Sequence, residues 1–333
     1  MENFVFNTTP SIYQRWGGAK DLASVVRSIP SQAKLSRLLF VTDPGILNLG
    51  LVDDALDGLS EAGFEITVFS EIEPDPKAIT VERATELARC EGCDCVVGFG
   101  GGSSMDVAKV VALLVGSDQP MTAMFGVNQA DGKRLPLVLV PTTAGTGSEV
   151  TPVSILTTGT EEKKGIVSPL ILPDVALLDA ELTIGLPPAI TAATGVDAMV
   201  HAIEAFTSKS PNNNPISRHL AKQALLLLGA NIRTAVHQGQ DKAARSNMLL
   251  GSMLAGQAFA NSPVAAVHAL AYPIGSLFHV PHSLSNALVL REVMRFNAPE
   301  AGEGYAELAP LIFPDIDQEQ PQDALVSDCI ERI

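Results

Sequence analysis

The strongest constraint on this fold is an alternation confined to the first half of the chain. LLFVT (38–42), EITVF (65–69), CVVGF (95–99) and LPLVLV (135–140) are short runs of β-branched and aliphatic residues, the composition of buried strands. Between them, DDALDGLSEAG (53–63), ITVERATELARCEG (79–92) and SSMDVAKVVALLVG (103–116) repeat apolar residues at helical spacing. Strand–helix–strand alternation predicts a parallel sheet covered by helices on both faces. PVSIL (152–156) and VALLD (175–179) extend this region to about residue 183. From Pro187 the pattern changes to Ala- and Leu-rich helical periodicity without strands. Pro187-Pro188 reads as a helix start, and PNNNP (211–215) and NSP (261–263) as helix–helix connections. An α/β domain over 1–185 and an all-α domain over 186–333 are therefore expected, with no internal repeat.

Composition narrows the function classes. A chain of 333 residues, 46% of them hydrophobic, can bury a large core. Its formal charge of −15, with no basic stripe, argues against nucleic acid, where phosphate neutralisation supplies most of the affinity. Anionic membrane surfaces are disfavoured for the same reason. No apolar run approaches the ~20 residues of a membrane span, and MENFVFNTTP lacks the features of a secretory signal. A soluble cytoplasmic protein is the expectation. Three of the four cysteines crowd into RCEGCDC (Cys90, Cys93, Cys95). A soft-metal or redox site there would want a further ligand that is not nearby, and Cys95 leads straight into a strand-like run, where a small apolar side chain is the plainer account.

Two constellations carry chemistry. GFGGGSSMDVAK (98–109) follows a strand and opens a helix, so Gly100, Gly101 and Gly102 allow close backbone approach by a phosphate at a helix N-terminus. Ser103 reads as the N-cap, with Asp106 completing a box-like arrangement. The text is neither G-x-G-x-x-G nor a P-loop, and a glycine cluster also serves as a plain turn. Asp43, ending the first strand in VTDPG, suits a ribose diol and opposes a 2′-phosphate, or else serves the Asp-Pro-Gly turn. PTTAGTGSEVT (141–151) is a hydroxyl-rich loop able to wrap a cofactor or simply to connect. Further on, Asp197 and His201 are four residues apart in a helical pattern, which stacks a carboxylate and an imidazole on one face. AVHALAYPIGSLFHVPHSLSNA (266–287) adds His268, His279 and His282, whereas His219 and His237 look like ordinary helix-surface residues. Each histidine alone has a structural explanation. Together Asp197, His201, His268 and His282 offer one oxygen and three nitrogens, a set that suits Fe²⁺ or Zn²⁺ and leaves positions for substrate.

GGGSSMDVAK, PTTAGTGSEVT, LPDVALLDAELT, GVDAMVHAIEAF and HALAYPIGSLFHVPHSLSNA, in this order and spacing, resemble the iron-containing alcohol dehydrogenase family. That family is related to glycerol dehydrogenase and dehydroquinate synthase. The resemblance implies a dehydroquinate synthase-like fold: an NAD-binding α/β domain, a helical domain and a metal in the cleft between them. It implies Asp197, His201, His268 and His282 as metal ligands, with Fe²⁺ ahead of Zn²⁺. Gly101, Gly102 and Ser103 would contact the pyrophosphate, and Asp43 would select NAD over NADP. Thr142, Thr143 and Thr146 would lie near the nicotinamide, and Lys163 would contact the ribose, with Lys164 a competing alignment. Tyr272 stands where many members carry a second histidine, and its pKa near ~10 makes it a poorer proton shuttle. His279 or water would then carry the proton. Members usually continue for several dozen residues beyond CIERI. A cytoplasmic homodimer acting on a small alcohol or aldehyde is the implied protein. A maleylacetate reductase-like enzyme, whose group tends to lack the ligand aspartate, or a non-catalytic nucleotide- or metal-binding relic are the rivals.

Overall fold

A computed structural model describes residues 3–159, 162–278 and 280–333. The chain forms two compact units. One comprises Thr8–Thr142 and Ser148–Leu182; the other comprises Thr183–Ile333 together with Thr143–Gly147 and the first residues up to Asn7.

The first unit is α/β. Strands β1 (Ser11–Gln14), β2 (Arg37–Val41), β3 (Glu65–Phe69), β4 (Cys95–Gly100), β6 (Leu137–Pro141) and β9 (Val175–Leu178) form one sheet in the order β1-β9-β6-β4-β2-β3. Every pairing in it is parallel. Helices α1 (Leu22–Arg27), α2 (Pro44–Asn48), α3 (Asp53–Glu61), α4 (Ala78–Cys90) and α5 (Gly102–Val115) connect the strands. Successive side chains point to opposite faces of a strand, and here both faces are apolar. Leu39, Val41, Val96, Leu137 and Leu139 join one core with α4 and α5. Leu38, Phe40, Val97, Phe99, Val138 and Val140 join the other with α1 and α3, and the Phe40 and Phe99 rings stack there with centroids 5.4 Å apart. Chain order reverses between β2 and β4, since β3 lies on one side of β2 and β4 on the other. In open parallel sheets that reversal opens a crevice at the carboxyl ends of the strands.

PVSIL behaves differently from the other strand-like runs. Its strand, β7 (Val153–Thr158), pairs antiparallel with β8 (Glu162–Val167), which pairs parallel with the two-residue β5 (Gly126–Val127). This three-stranded sheet is separate from the main one. Cys93 and Cys95 are buried and Cys90 exposed, all as free thiols. Burial raises the Cys93 and Cys95 thiol pKa values, which suits packing rather than reactivity.

The second unit contains α6 (Pro188–Thr207), α7 (Pro215–His237), α8 (Lys242–Asn261), α9 (Ala266–Phe278), α10 (His282–Ile312) and α11 (Gln322–Arg332), and no strand among the described residues. Pro187 and Asn214 cap α6 and α7, and the Asn214 side chain accepts the Ser217 N–H. The segment Thr143–Gly147 docks here through its glycines: a Cβ on Gly145 would meet Thr194 Cβ at 2.7 Å, and one on Gly147 would meet Gly256 Cα at 2.6 Å.

Candidate metal centre and dinucleotide loop

Helix α6 is buried along most of its length, and the face carrying Asp197, His201 and Glu204 is no exception: each is at most 5% exposed. Spacings of four and three residues place all three within roughly 60° around the helix. Buried charges and imidazoles need partners, and α9 and α10 bring them. Ligand atoms of Asp197, His201 and His268 lie within 4.8 Å of one another. The His201 ring stacks on Phe259 at 4.4 Å and on His268 at 4.8 Å between centroids. His282, at the first position of α10, is outside that triad but adjoins it, its ring centroid 5.6 Å from that of His268.

Asn286, one turn after His282 and fully buried, marks where these donors converge. Its Nδ2 donates to Asp197 Oδ1 at 2.6 Å and lies 3.3 Å from His268 Nε2 and 3.2 Å from His282 Nε2. Ser283 donates to the other Asp197 oxygen at 3.0 Å. Burial alone would raise the Asp197 carboxyl pKa, but His201, His282, His268 and the Asn286 amide together hold it below the usual carboxylate range. Burial lowers the His201 pKa to about 4, so its imidazole is neutral and able to donate a lone pair. His201 Nδ1 and Asn286 Oδ1 are buried without hydrogen-bond partners. A carboxylate, the neutral His201 imidazole with its buried unpartnered ring nitrogen and the His268 and His282 rings beside them fit a divalent cation.

Glu204 is the residue the Asp197–His201 spacing overlooks, although the same helical face announces it three residues later. Its Oε2 is 2.7 Å from His268 Nδ1 and its Oε1 accepts the Val267 N–H at 2.7 Å. Burial would raise this carboxyl pKa; the hydrogen bond from His268, with the backbone N–H groups of 265 and 267, outweighs it and holds the group below its usual range. Tyr272 stacks against His282 with centroids 5.7 Å apart. His279 lies outside the described residues.

In the α/β unit the glycine loop sits at the carboxyl end of β4. Gly100 has φ 151°, and a Cβ there would fall 2.7 Å from Ser104 Oγ and 3.3 Å from Asp43 Oδ2. The backbone thus brings Asp43 beside the loop. Both readings of Asp43 are compatible with this geometry: Oδ1 caps α2 by accepting the Ile46 N–H at 3.0 Å, while Oδ2 faces Gly100. The expected capping box is absent. Gly101 is the N-cap, without a side-chain hydrogen bond, and Ser103 lies inside the first turn because the extended Gly101 starts the helix earlier. Asp106 instead accepts Ser148 Oγ at 2.6 Å and the Ile155 N–H at 2.9 Å. Thr42, Ser104 and Thr142, beyond the ends of β2, β4 and β6, each bury a hydroxyl with no partner. Three such hydroxyls beyond the carboxyl ends of three adjacent strands fit a polar ligand at the helix N-terminus.

The loop 141–151 is divided between the units: Thr142 belongs to the first, Thr143 and Thr146 to the second. Lys163 is on β8, its ammonium 2.7 Å from Asp75 Oδ1, while Lys164 pairs with Glu162 at 3.0 Å.

Residues 9–180 match the family described as iron-containing alcohol dehydrogenase, and residues 191–332 its C-terminal family. The chain belongs to the iron-containing alcohol dehydrogenase family. It is 41% identical to long-chain-alcohol dehydrogenase 1 of Geobacillus thermodenitrificans, over 86% of this chain and 72% of that protein. A crystal structure of 1,3-propanediol oxidoreductase superposes with a TM-score of 0.92 at 34% identity, covering 99% of this chain and 85% of the other. Sulfoacetaldehyde reductase from Bifidobacterium kashiwanohense, solved with NAD⁺, gives 0.88 at 31% identity, covering 100% and 85%. This family member is an enzyme, an NAD-linked, metal-dependent oxidoreductase acting on alcohol and aldehyde groups.

Proposed function

We propose that Asp197, His201, His268 and His282 hold the catalytic cation, Fe²⁺ in the cell with Zn²⁺ as the competing occupant, and that short-chain alcohols and aldehydes are the substrates. The observation that carries the metal assignment is the convergence of Asp197, His201 and His268 donor atoms within 4.8 Å in a buried pocket. When bound, a divalent cation supplies Lewis acidity to the substrate oxygen, and the nicotinamide gives or accepts the hydride. The protein's own part is placement. Asp197 contributes charge, its oxygens aimed by Ser283 and Asn286. His201 is oriented by stacking between Phe259 and His268. Gly101, Gly102 and Ser103 offer the N-terminal N–H groups of α5 to the pyrophosphate, and Asp43 offers Oδ2 to the ribose. Thr142, Thr143 and Thr146 line the nicotinamide side, and Lys163 contacts the ribose after exchanging its Asp75 partner. Tyr272, beside His282, holds the substrate hydroxyl, with His279 or water carrying the proton onward. The working enzyme is a cytoplasmic homodimer on the strength of the family resemblance.

Replacing Asp197 tests the ligand set. Asp197→Ala is expected to lower metal affinity by at least about 100-fold and abolish aldehyde-dependent NADH oxidation, with the far-ultraviolet circular dichroism spectrum unchanged. Metal content and turnover like those of the wild type in that variant would refute the assignment.

A further inference from the structure

We propose that Glu204 is a positioning residue of the metal centre, fixing the tautomer of His268 and supplying the second buried negative charge that balances a divalent cation. This rests on the ligand assignment above. Both Glu204 oxygens are committed, Oε2 to His268 Nδ1 and Oε1 to the Val267 N–H, each at 2.7 Å. The second bond anchors the carboxylate to the start of α9, the helix that carries His268, so the ring is held to a carboxylate that is itself held. A carboxylate oxygen faces Nδ1 as acceptor and the Asn286 amide N–H faces Nε2 as donor, so the ring proton resides on Nδ1 and the lone pair on Nε2. Nε2 is the nitrogen 3.3 Å from Asn286 Nδ2, whose amide is in turn 2.6 Å from Asp197 Oδ1. The available lone pair therefore faces the Asp197 side, where the donors converge.

The charge argument is independent of the tautomer. Asp197 is fully buried and Glu204 is 5% exposed, so neither is compensated by water. Within the described residues of this cluster they are the two carboxylates, and no Lys or Arg is paired with either. Two buried carboxylates beside the assigned imidazoles match a divalent ion, and both lie on the α6 face that carries His201. Carboxylates that orient ligating histidines raise ring basicity and typically account for about 10- to 100-fold in metal affinity.

The test is Zn²⁺ affinity of the purified full chain, measured by competition with a chromophoric chelator, for the wild type, Glu204→Gln and Glu204→Asp. Glutamine keeps an acceptor for the ring proton but removes the charge; aspartate keeps the charge. The expected result is about 10- to 100-fold weaker binding for Glu204→Gln, a smaller loss for Glu204→Asp, and a shifted visible spectrum when Co²⁺ replaces Zn²⁺ in Glu204→Gln. In a His268→Ala background, Glu204→Gln should cost less affinity than in the wild-type background, because the part of its effect that passes through that ring is gone. Wild-type affinity and an unchanged Co²⁺ spectrum in Glu204→Gln would overturn the proposal, as would stronger binding by Glu204→Gln than by Glu204→Asp. Asp197→Ala, run in parallel, separates the two readings. If it loses Zn²⁺ while Glu204→Gln does not, only the role of Glu204 fails; if it binds normally, the ligand assignment fails with it.

Discussion

Glu149 and Lys109 show how this chain handles buried charge apart from the residues assigned to the cation. Lys109 is fully buried, and its Nζ donates to Ser148 Oγ at 2.6 Å and the Val153 carbonyl at 2.8 Å. Glu149 is 1% exposed, one carboxyl oxygen has no partner, and burial raises its pKa to about 7. The folded state thus holds a proton that the unfolded chain, with a carboxyl of ordinary pKa near ~4.3, has already released. The stability contribution of that proton is present below the unfolded value and is lost as pH rises to about 7. Glu149→Gln, neutral at every pH, should raise Tm at pH 8 by roughly 2–4 °C and leave it nearly unchanged at pH 4, as read by thermal unfolding. An equal shift at both pH values would contradict the buried-carboxyl account. At this scale the sequence was informative where the partners are local. Asp197 and His201 are four residues apart, so one helix suffices to bring them together; Glu204, on the same helical face, was overlooked although the same spacing argument reaches it. Asn286, Ser283 and the Glu204–His268 bond were not legible, because each joins residues more than 60 positions apart through the packing of α6, α9 and α10.

Among the elements, β4 and α5 are the pair on which the dinucleotide loop depends. Helix α5 lies so close to its own strand that a Cβ on Gly98 would come 2.6 Å from Ala108 Cβ and 2.7 Å from Leu139 Cδ2. Gly98 is therefore required by close approach rather than by its backbone angles. Gly98→Val must push α5 away from the sheet, with an overpacking cost of roughly 1–3 kcal/mol. A lowered urea midpoint together with weaker NADH binding is the expected outcome; unchanged NADH affinity would separate the loop from the helix position. Strands β2, β4, β6 and β9 were legible because both faces are buried, which writes them as continuous apolar runs. β1 and β8 were missed for the opposite reason. SIYQ and EKKGIV are short or polar, and their strand state comes from pairing with β9 and β7 rather than from their own composition. PVSIL reads as a strand in either sheet, since apolar content does not say which partner it will find. The displaced cap at α5 has a similar cause: serine is the stronger local signal, but the loop geometry set by Gly100 and Gly101 decides where the helix begins.

At the scale of the whole molecule, the residues assigned to the dinucleotide and those assigned to the cation fall largely into different units. Asp43, Gly101, Gly102, Ser103 and Thr142 belong to the α/β unit, while Asp197, His201, His268 and His282 belong to the helical one. The change from strand–helix alternation to helices alone was visible in the sequence, whereas the membership of residues 143–147 was not, because their glycines dock on α6 and α8 far along the chain. The division has a functional consequence: metal removal should abolish turnover while leaving NADH affinity within about 2-fold, since most of the residues assigned to the dinucleotide belong to the α/β unit. The most direct measurement is the rate of NADH oxidation with a panel of short aldehydes, taken on chelated protein and again after anaerobic addition of Fe²⁺, with NADH affinity followed by fluorescence in both states. The rate is predicted to vanish on chelation and return with Fe²⁺ while NADH binding persists throughout. A rate indifferent to chelator would contradict the metal-dependent mechanism and place the chemistry with a metal-independent reductase.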